Sequence, residues 1–234
     1  MRRPALVTLA TVATWTVGGL WLDSHAGRTG QLLLGVLTVV VFLALLSLHA
    51  PAVRLQALGV VGFATLGEVV GSLIWGLYSY RLENLPAFVP PGHGLVYLAG
   101  FSLAVLTGRR VLVAVAAAGA AGWGIAGLTV LPAADVSGAI GCAFLVAVLL
   151  VTRVPVYAGV FLVVAALELY GTALGTWTWE ASVPGLGLSQ GNPPSGVASG
   201  YVVFDILALL LTARLLRAVR SSGNQSMRPR TAEA

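Results

Sequence analysis

Eight apolar runs leave this chain few folds to choose from. They fall at roughly 5–22, 31–49, 55–78, 94–107, 111–131, 138–152, 154–176 and 197–219. A helix that crosses a bilayer needs about 20 such residues. The expected fold is therefore all-α, a polytopic membrane bundle of about eight transmembrane helices. The fourth and sixth runs are short and must borrow neighbouring loop residues. Composition agrees with this reading. Hydrophobic residues make up 58% of the chain and charged residues only 9%, against about 25% charged in a soluble domain.

The distribution of charge sets the expected orientation. All 13 cationic residues are Arg. Arg2, Arg3, Arg54, Arg109, Arg110, Arg153, Arg214, Arg217, Arg220, Arg228 and Arg230 fall at the termini and in alternate loops. The other loops hold Arg28 and Arg81, together with Asp23, Glu83, Asp135 and Glu180. The positive-inside rule then places both termini in the cytoplasm. It also explains the basic pI without nucleic acid as a partner. The Lys-free composition, rich in Ala, Gly and Arg, fits a high-GC bacterium and hence a bacterial inner membrane. Arg2 and Arg3 ahead of an apolar stretch, with Ser24-His25-Ala26 behind it, also fit a cleaved signal peptide. An internal repeat argues for a retained helix. The lone Cys142 has no partner for an internal disulfide.

The repeat pairs Glu68 with Glu168, Gly71 with Gly171, Pro90-Pro91 with Pro193-Pro194, and Tyr97 with Tyr201. Four spans separate equivalent helices, so the two halves run parallel, related by an axis along the membrane normal. The expected units are residues 1–107 and 108–220, followed by a disordered cytoplasmic tail over 221–234. The Pro-Pro loops read as rigid lids on the outer side, with Asn192 and Ser195 as caps for the eighth helix.

Three carboxyls lie inside apolar runs: Glu68, Glu168 and Asp205. An ionisable group at that depth costs about 2.5–3.5 kcal/mol to insert and marks a functional site by default. All three fall in the outer half of the membrane and are expected to converge. The plain alternative is that they only hydrogen-bond neighbouring helices. The repeat equivalent of Asp205 is Phe101, so the site is expected to be symmetric in scaffold and asymmetric in chemistry. A carboxyl kept neutral by an apolar site is a usable general acid.

Aromatic residues gather at the same level. Glu68, Gly71, Trp75 and Tyr78 would share one face of a continuous third helix. Tyr80, Tyr97, Tyr170, Trp177, Trp179 and Tyr201 join them, with His93 and Asn192 in the outer loops. An interfacial belt of Trp and Tyr accounts for such residues in many membrane proteins. A cage whose ring faces stabilise a cation is the functional reading. The patterns Gly67-xxx-Gly71, Gly171-xxx-Gly175 and Gly196-xxx-Gly200 read as helix packing. No paired-His, Cys-cluster, Walker, GxSxG or dinucleotide motif is present, so no metal or cofactor is expected.

The segments Glu68–Tyr80 and Glu168–Trp179 share E-x-x-G followed by G-x-aromatic-x-aromatic. This pattern resembles one in integral-membrane carotenoid-modifying enzymes, the small lycopene cyclase domains and the carotenoid hydratases. The placement of Glu68 and Asp205 is also similar to that in membrane-bound meroterpenoid cyclases. The resemblance implies that Glu68 and Asp205 donate protons, with Glu168 assisting. It further implies acid-initiated cyclisation, isomerisation or hydration of a lipid-soluble olefin, with membrane lipids as the other partners. A small proton-coupled transporter and a non-catalytic membrane subunit are the competing readings. Oligomeric state is not legible.

Overall fold

The computed structural model describes residues 2–226, with side chains through residue 217. Eight α-helices dominate. They are α1 (Arg2–His25), α2 (Arg28–Ser47), α3 (Pro51–Glu68), α4 (Val89–Leu106), α5 (Arg109–Thr129), α6 (Val136–Thr152), α7 (Pro155–Ala173) and α8 (Ala198–Ser226). Two short strands, β1 (Tyr78–Tyr80) and β2 (Trp177–Trp179), lie after α3 and α7. Seven helices are long and apolar enough to cross a membrane, and α6, with 17 residues, is shorter. Among the described residues the chain is thus an all-α, multi-pass membrane protein of eight helices, seven of them long enough to be clear spans and α6 shorter.

Hydrocarbon is as apolar as a leucine side chain, so burial between helices gains little transfer free energy, and close packing has to hold the bundle together. Glycine supplies it where the helices cross. Gly100 of α4 and Gly159 of α7 lie backbone to backbone, with no room for a Cβ on either. Gly196 meets Gly138 and Gly141 of α6 in the same way. α4 is the central helix, in contact with α1, α2, α3 and α7, while α3 also packs on α8. One apolar cluster joins α1–α4 through Phe42, Val60 and Leu98. A second joins α5–α8 through Leu112, Leu145 and Val164.

The third and seventh runs end earlier than expected, for one reason. Gly76 and Gly175 both adopt left-handed conformations, with φ of 71° and 68°, which end a helix readily only with glycine. Beyond each glycine the chain turns back as a strand, and β1 pairs antiparallel with β2 in the register Tyr78↔Trp179, Ser79↔Thr178, Tyr80↔Trp177. The two segments differ in one respect. Gly76 lies eight positions after Glu68, whereas Gly175 lies seven after Glu168. A π-helical segment, Val69–Trp75, continues α3, and a π-bulge is the usual way to hold an extra residue in a helix.

Buried carboxylates fix the loops on the same face. Asp135 caps α6 by accepting from the amide of Gly138 at 3.0 Å. It also accepts from the amides of Gly191 (2.9 Å) and Ser195 (2.6 Å), tying the long 180–197 segment to α6. Asp23 accepts from Gln31 at 3.0 Å, and Gln31 accepts from Asn84 at 2.7 Å. Arg81 donates to the carbonyls of Asp23 and Ala26. Three loop expectations change as a result. Pro90 and Pro91 lie in the first turn of α4 rather than in a lid. Asn192 accepts from the Trp179 amide at 3.0 Å and Ser195 donates its amide to Asp135, so neither caps α8. α8 extends through Ser226, and the rest of the expected tail lies outside the described residues.

Candidate functional site

Glu68 and Glu168 converge on one cavity, and each is held by hydrogen-bond donors from its own strand. Glu68 (7% exposed) accepts at Oε2 from the hydroxyls of Tyr78 (2.8 Å) and Tyr80 (2.7 Å). Glu168 (3% exposed) accepts at Oε2 from the indole N–H of Trp177 (2.9 Å) and of Trp179 (3.2 Å). The glycine three residues after each Glu makes this return possible. A Cβ on Gly71 would press on the Tyr78 ring, and one on Gly171 would overlap the Trp177 ring. The E-x-x-G…G-x-aromatic-x-aromatic pattern thus encodes a carboxyl, a bare seat on the next turn of helix, a left-handed turn, and two side chains that reach back.

The third partner differs between the two clusters. His93 of α4 places Nε2 2.8 Å from Glu68 Oε1. Tyr201 of α8 donates to Glu168 Oε1 over 3.3 Å. The rings of His93 and Tyr201 stack, with centroids 4.6 Å apart and planes 27° apart. Tyr78 lies 4.4 Å from Trp179, and Tyr80 lies 6.3 Å from Trp177. The two carboxyl clusters are therefore joined by three ring contacts.

These groups line a cavity of about 240 Å³. Its other walls include Trp15 and Leu20 of α1, Leu34 and Thr38 of α2, Leu167 of α7 and Phe204 of α8. Trp15 is fixed there by its indole N–H, which donates to Thr38 at 3.1 Å. Phe204 lies over Gly67, which has no space for a Cβ beneath that ring. The lining is thus aromatic and aliphatic, with its polar atoms concentrated at the two carboxyl clusters.

The hydrogen bonds restrict where protons reside. An indole nitrogen donates and cannot accept. Glu168 Oε2, which faces two indole N–H groups, is therefore an acceptor only. A proton on Glu168 must sit on Oε1, beside the long contact to Tyr201. Glu68 is surrounded by two phenols and an imidazole, all able to donate to it. Burial, reinforced by the negative charge on Glu68, pushes the Tyr78 and Tyr80 hydroxyls, which lie in the strand between helices, well above the usual phenol range. Both stay protonated and keep donating.

Several expected residues lie elsewhere. Asp205 is buried (1% exposed) and has no hydrogen-bond partner at Oδ2, but it does not line the cavity. It lies one turn beyond Tyr201 on α8, so the three carboxyls do not converge. Trp75 is 45% exposed and donates its N–H to the Pro184 carbonyl at 2.9 Å. The left-handed turn at Gly76 separates it from Tyr78, so the face they were to share does not exist. Tyr97 donates to Gln56 at 2.7 Å, and Tyr170 donates to the Val17 carbonyl at 3.1 Å. Neither lines the cavity, and nor does the exposed Asn192. The cavity does take in His93, Tyr78, Trp177, Trp179 and Tyr201. It also takes in Tyr80, expected at the same level as the other aromatics, whose spacing of two from Tyr78 puts both on one face of a strand. Trp15 and Phe204 complete it without having been singled out.

Among the described residues no group of three or more His, Cys, Asp and Glu is placed to hold a metal ion. Comparisons with protein-family models, curated proteins and solved structures found no match.

Proposed function

We propose that the cavity is an intramembrane acid–base site that protonates a lipid-soluble olefin of the isoprenoid class. The single observation that carries this reading is the unequal partnering of two buried carboxyls in one aromatic-walled cavity. Glu168 has one oxygen able to carry a proton, Oε1, and its only partner there is a weak one. Glu68 is paired with His93, a side chain whose ring nitrogens can accept and return a proton. In this reading Glu168 Oε1–H gives its proton to a carbon of the double bond. The π electrons form the new C–H bond and leave a carbocation at the neighbouring carbon. The faces of Tyr78, Trp177, Trp179 and Tyr201 stabilise that cation. Ring closure by a second double bond, or none, is followed by loss of a proton to His93, giving a cyclised or isomerised product. Capture of water before that proton loss gives a hydrated one.

Size narrows the substrate's pose. About 240 Å³ corresponds to about eight water volumes at ~30 Å³ each, enough for the reacting end of a long isoprenoid. The rest of the chain lies among the helices or in lipid.

The scaffold reading belongs with this proposal. We infer a duplicated four-helix unit whose pseudo-twofold axis passes between Ser79 and Thr178. Equivalent strands pair antiparallel about that point, equivalent glycines turn left-handed, and each Glu takes two donors from its own strand. Both termini lie in the cytoplasm, on the arginine-rich side.

The test is a comparison of organic extracts from host cells supplied with isoprenoid precursors. The cells express wild type, Glu168→Gln or His93→Gln, and the readout is liquid chromatography with mass spectrometry. A species isobaric with a precursor, or heavier by one water, is expected with wild type and lost in both variants. Identical extracts across carotenoid, quinone and farnesyl precursors would overturn the isoprenoid reading.

A further inference from the structure

On the reading above, a cavity of about 240 Å³ takes the reacting end of a long chain, and the rest of that chain has to leave between two helices. The seams around the cavity are not packed alike. Between α1 and α2 the Trp15 indole N–H donates to Thr38 at 3.1 Å and ties the gap. Between α2 and α3, Phe42 and Val61 meet over Gly94 and leave no space for a Cβ. Between α3 and α8 the Phe204 ring covers Gly67. Between α4 and α7 the backbones touch at Gly100 and Gly159.

The seam between α1 and α7 is different. α1 packs mainly on α4, and its contact with α7 is slight. Trp15, Thr16 and Gly19 of α1 and Leu167 of α7 all line the cavity, and all four are only half-buried. A Cβ on Gly19 would meet nothing within 4 Å except the Trp15 ring of its own helix, at 3.9 Å. No atom of α7 fills that place. Toward the strands the seam closes again. Leu20 packs into the apolar cluster that holds Leu167, Tyr170 and Trp177, and the Tyr170 hydroxyl donates to the Val17 carbonyl at 3.1 Å. Val17 and Leu169, on either side, are exposed apolar residues. A slot thus joins the cavity to the apolar flank of the bundle.

We propose that this slot is a binding subsite for the hydrocarbon chain of the ligand, entered from the bilayer, with Tyr170 as a latch across its end nearer the strands. Gly19 makes room for the chain, and Thr16 and Leu167 are its walls. Lipid is as apolar as the slot, so transfer between them gains little and close fit selects the chain. The slot rests on the reading of the cavity as one for a lipid-soluble molecule. It does not depend on the reaction performed there.

The test needs no substrate, which separates the two claims. Trp15, Trp21, Trp75 and Trp123 are replaced by Phe in the full chain, so that only Trp177 and Trp179, both lining the cavity, emit. This parent, in phosphatidylcholine vesicles, is mixed with bromododecane, a lipid-soluble chain whose bromine quenches tryptophan on contact. Quenching is expected in the parent and unchanged in Gly18→Leu, whose side chain meets open space and does not line the cavity. It is lost in Gly19→Leu, which fills the slot, and reduced in Leu167→Phe, which narrows it from the other wall. In Tyr170→Phe its rate rises about fivefold, the factor for one hydrogen bond of about 1 kcal/mol. Equal quenching in the parent, Gly19→Leu and Leu167→Phe would overturn the slot. So would a block by Gly200→Leu in place of Gly19→Leu, which puts the entry at α8. Quenching by acrylamide and not by bromododecane would overturn it as well, because the cavity then opens to water. A slot that behaves as expected with unchanged cell extracts would keep the subsite and remove the olefin chemistry. Product in extracts with no quenching would do the reverse.

Discussion

At the residue scale the site is built from donors that cannot be exchanged for look-alikes. Trp177→Phe keeps the ring and deletes the N–H to Glu168. Thermal unfolding should show a loss of about 1–3 kcal/mol, the cost of a buried acceptor deprived of one partner. Gly171→Ala should cost a similar amount, because the added methyl overlaps the Trp177 ring and overpacks the seat. Gly200→Ala is the control. Nothing lies within contact of a Cβ there, and its effect should stay within about 0.5 kcal/mol. His49, in the loop after α2, makes a separate prediction. Burial, aided by the Arg54 charge, lowers its pKa from the ordinary value, and its ring nitrogen pairs with Thr8 at 3.1 Å. The unfolded chain then binds the proton more readily, so stability rises with pH between the two pKa values. As pH falls below about 6.5, wild type should lose stability relative to His49→Gln.

At the scale of elements, much of the arrangement was legible and some was not. Carboxyls in apolar runs gave away Glu68 and Glu168, because nothing but function or pairing keeps a charge there. Asp205 shares their chemistry and roughly their depth. Depth along a uniformly apolar run does not say whether a side chain reaches the cavity, however, and a single helical turn moves Asp205 out of it. The Tyr78 strand was hidden for a different reason. The run through Trp75 stays apolar past Gly76, so composition extends the helix, whereas backbone conformation at one glycine ends it. Asp135 read only as an outer-loop charge, since three amides from 138, 191 and 195 are not a sequence pattern. Its removal is correspondingly costly. Asp135→Ala strands those amides beneath the 180–197 segment and should destabilise by about 3 kcal/mol or more, read by thermal unfolding.

At the scale of the whole molecule, α3 and α7 each lead into one strand of a two-stranded ribbon, and the carboxyl clusters gather beside it. The resulting polarity is specific. The strands, Asp23, Asp135 and the cavity lie toward one face, while Arg54, Arg109, Arg110, Arg153 and Arg214 lie at the other. Reporter fusions test the orientation this implies. A cytoplasm-active reporter should work after Gly108 and fail after Ser182, and an export-dependent reporter should do the reverse. The opposite pattern would invert the bundle.

The central claim is that a protein carboxyl protonates carbon inside the membrane. Turnover in deuterated buffer tests it most directly, with purified wild type in lipid and a precursor that yields product in cells. The account predicts one deuterium in each product molecule, on the carbon that received the proton, and no product from Glu168→Gln. Product that forms at the wild-type rate without carbon-bound deuterium would contradict it.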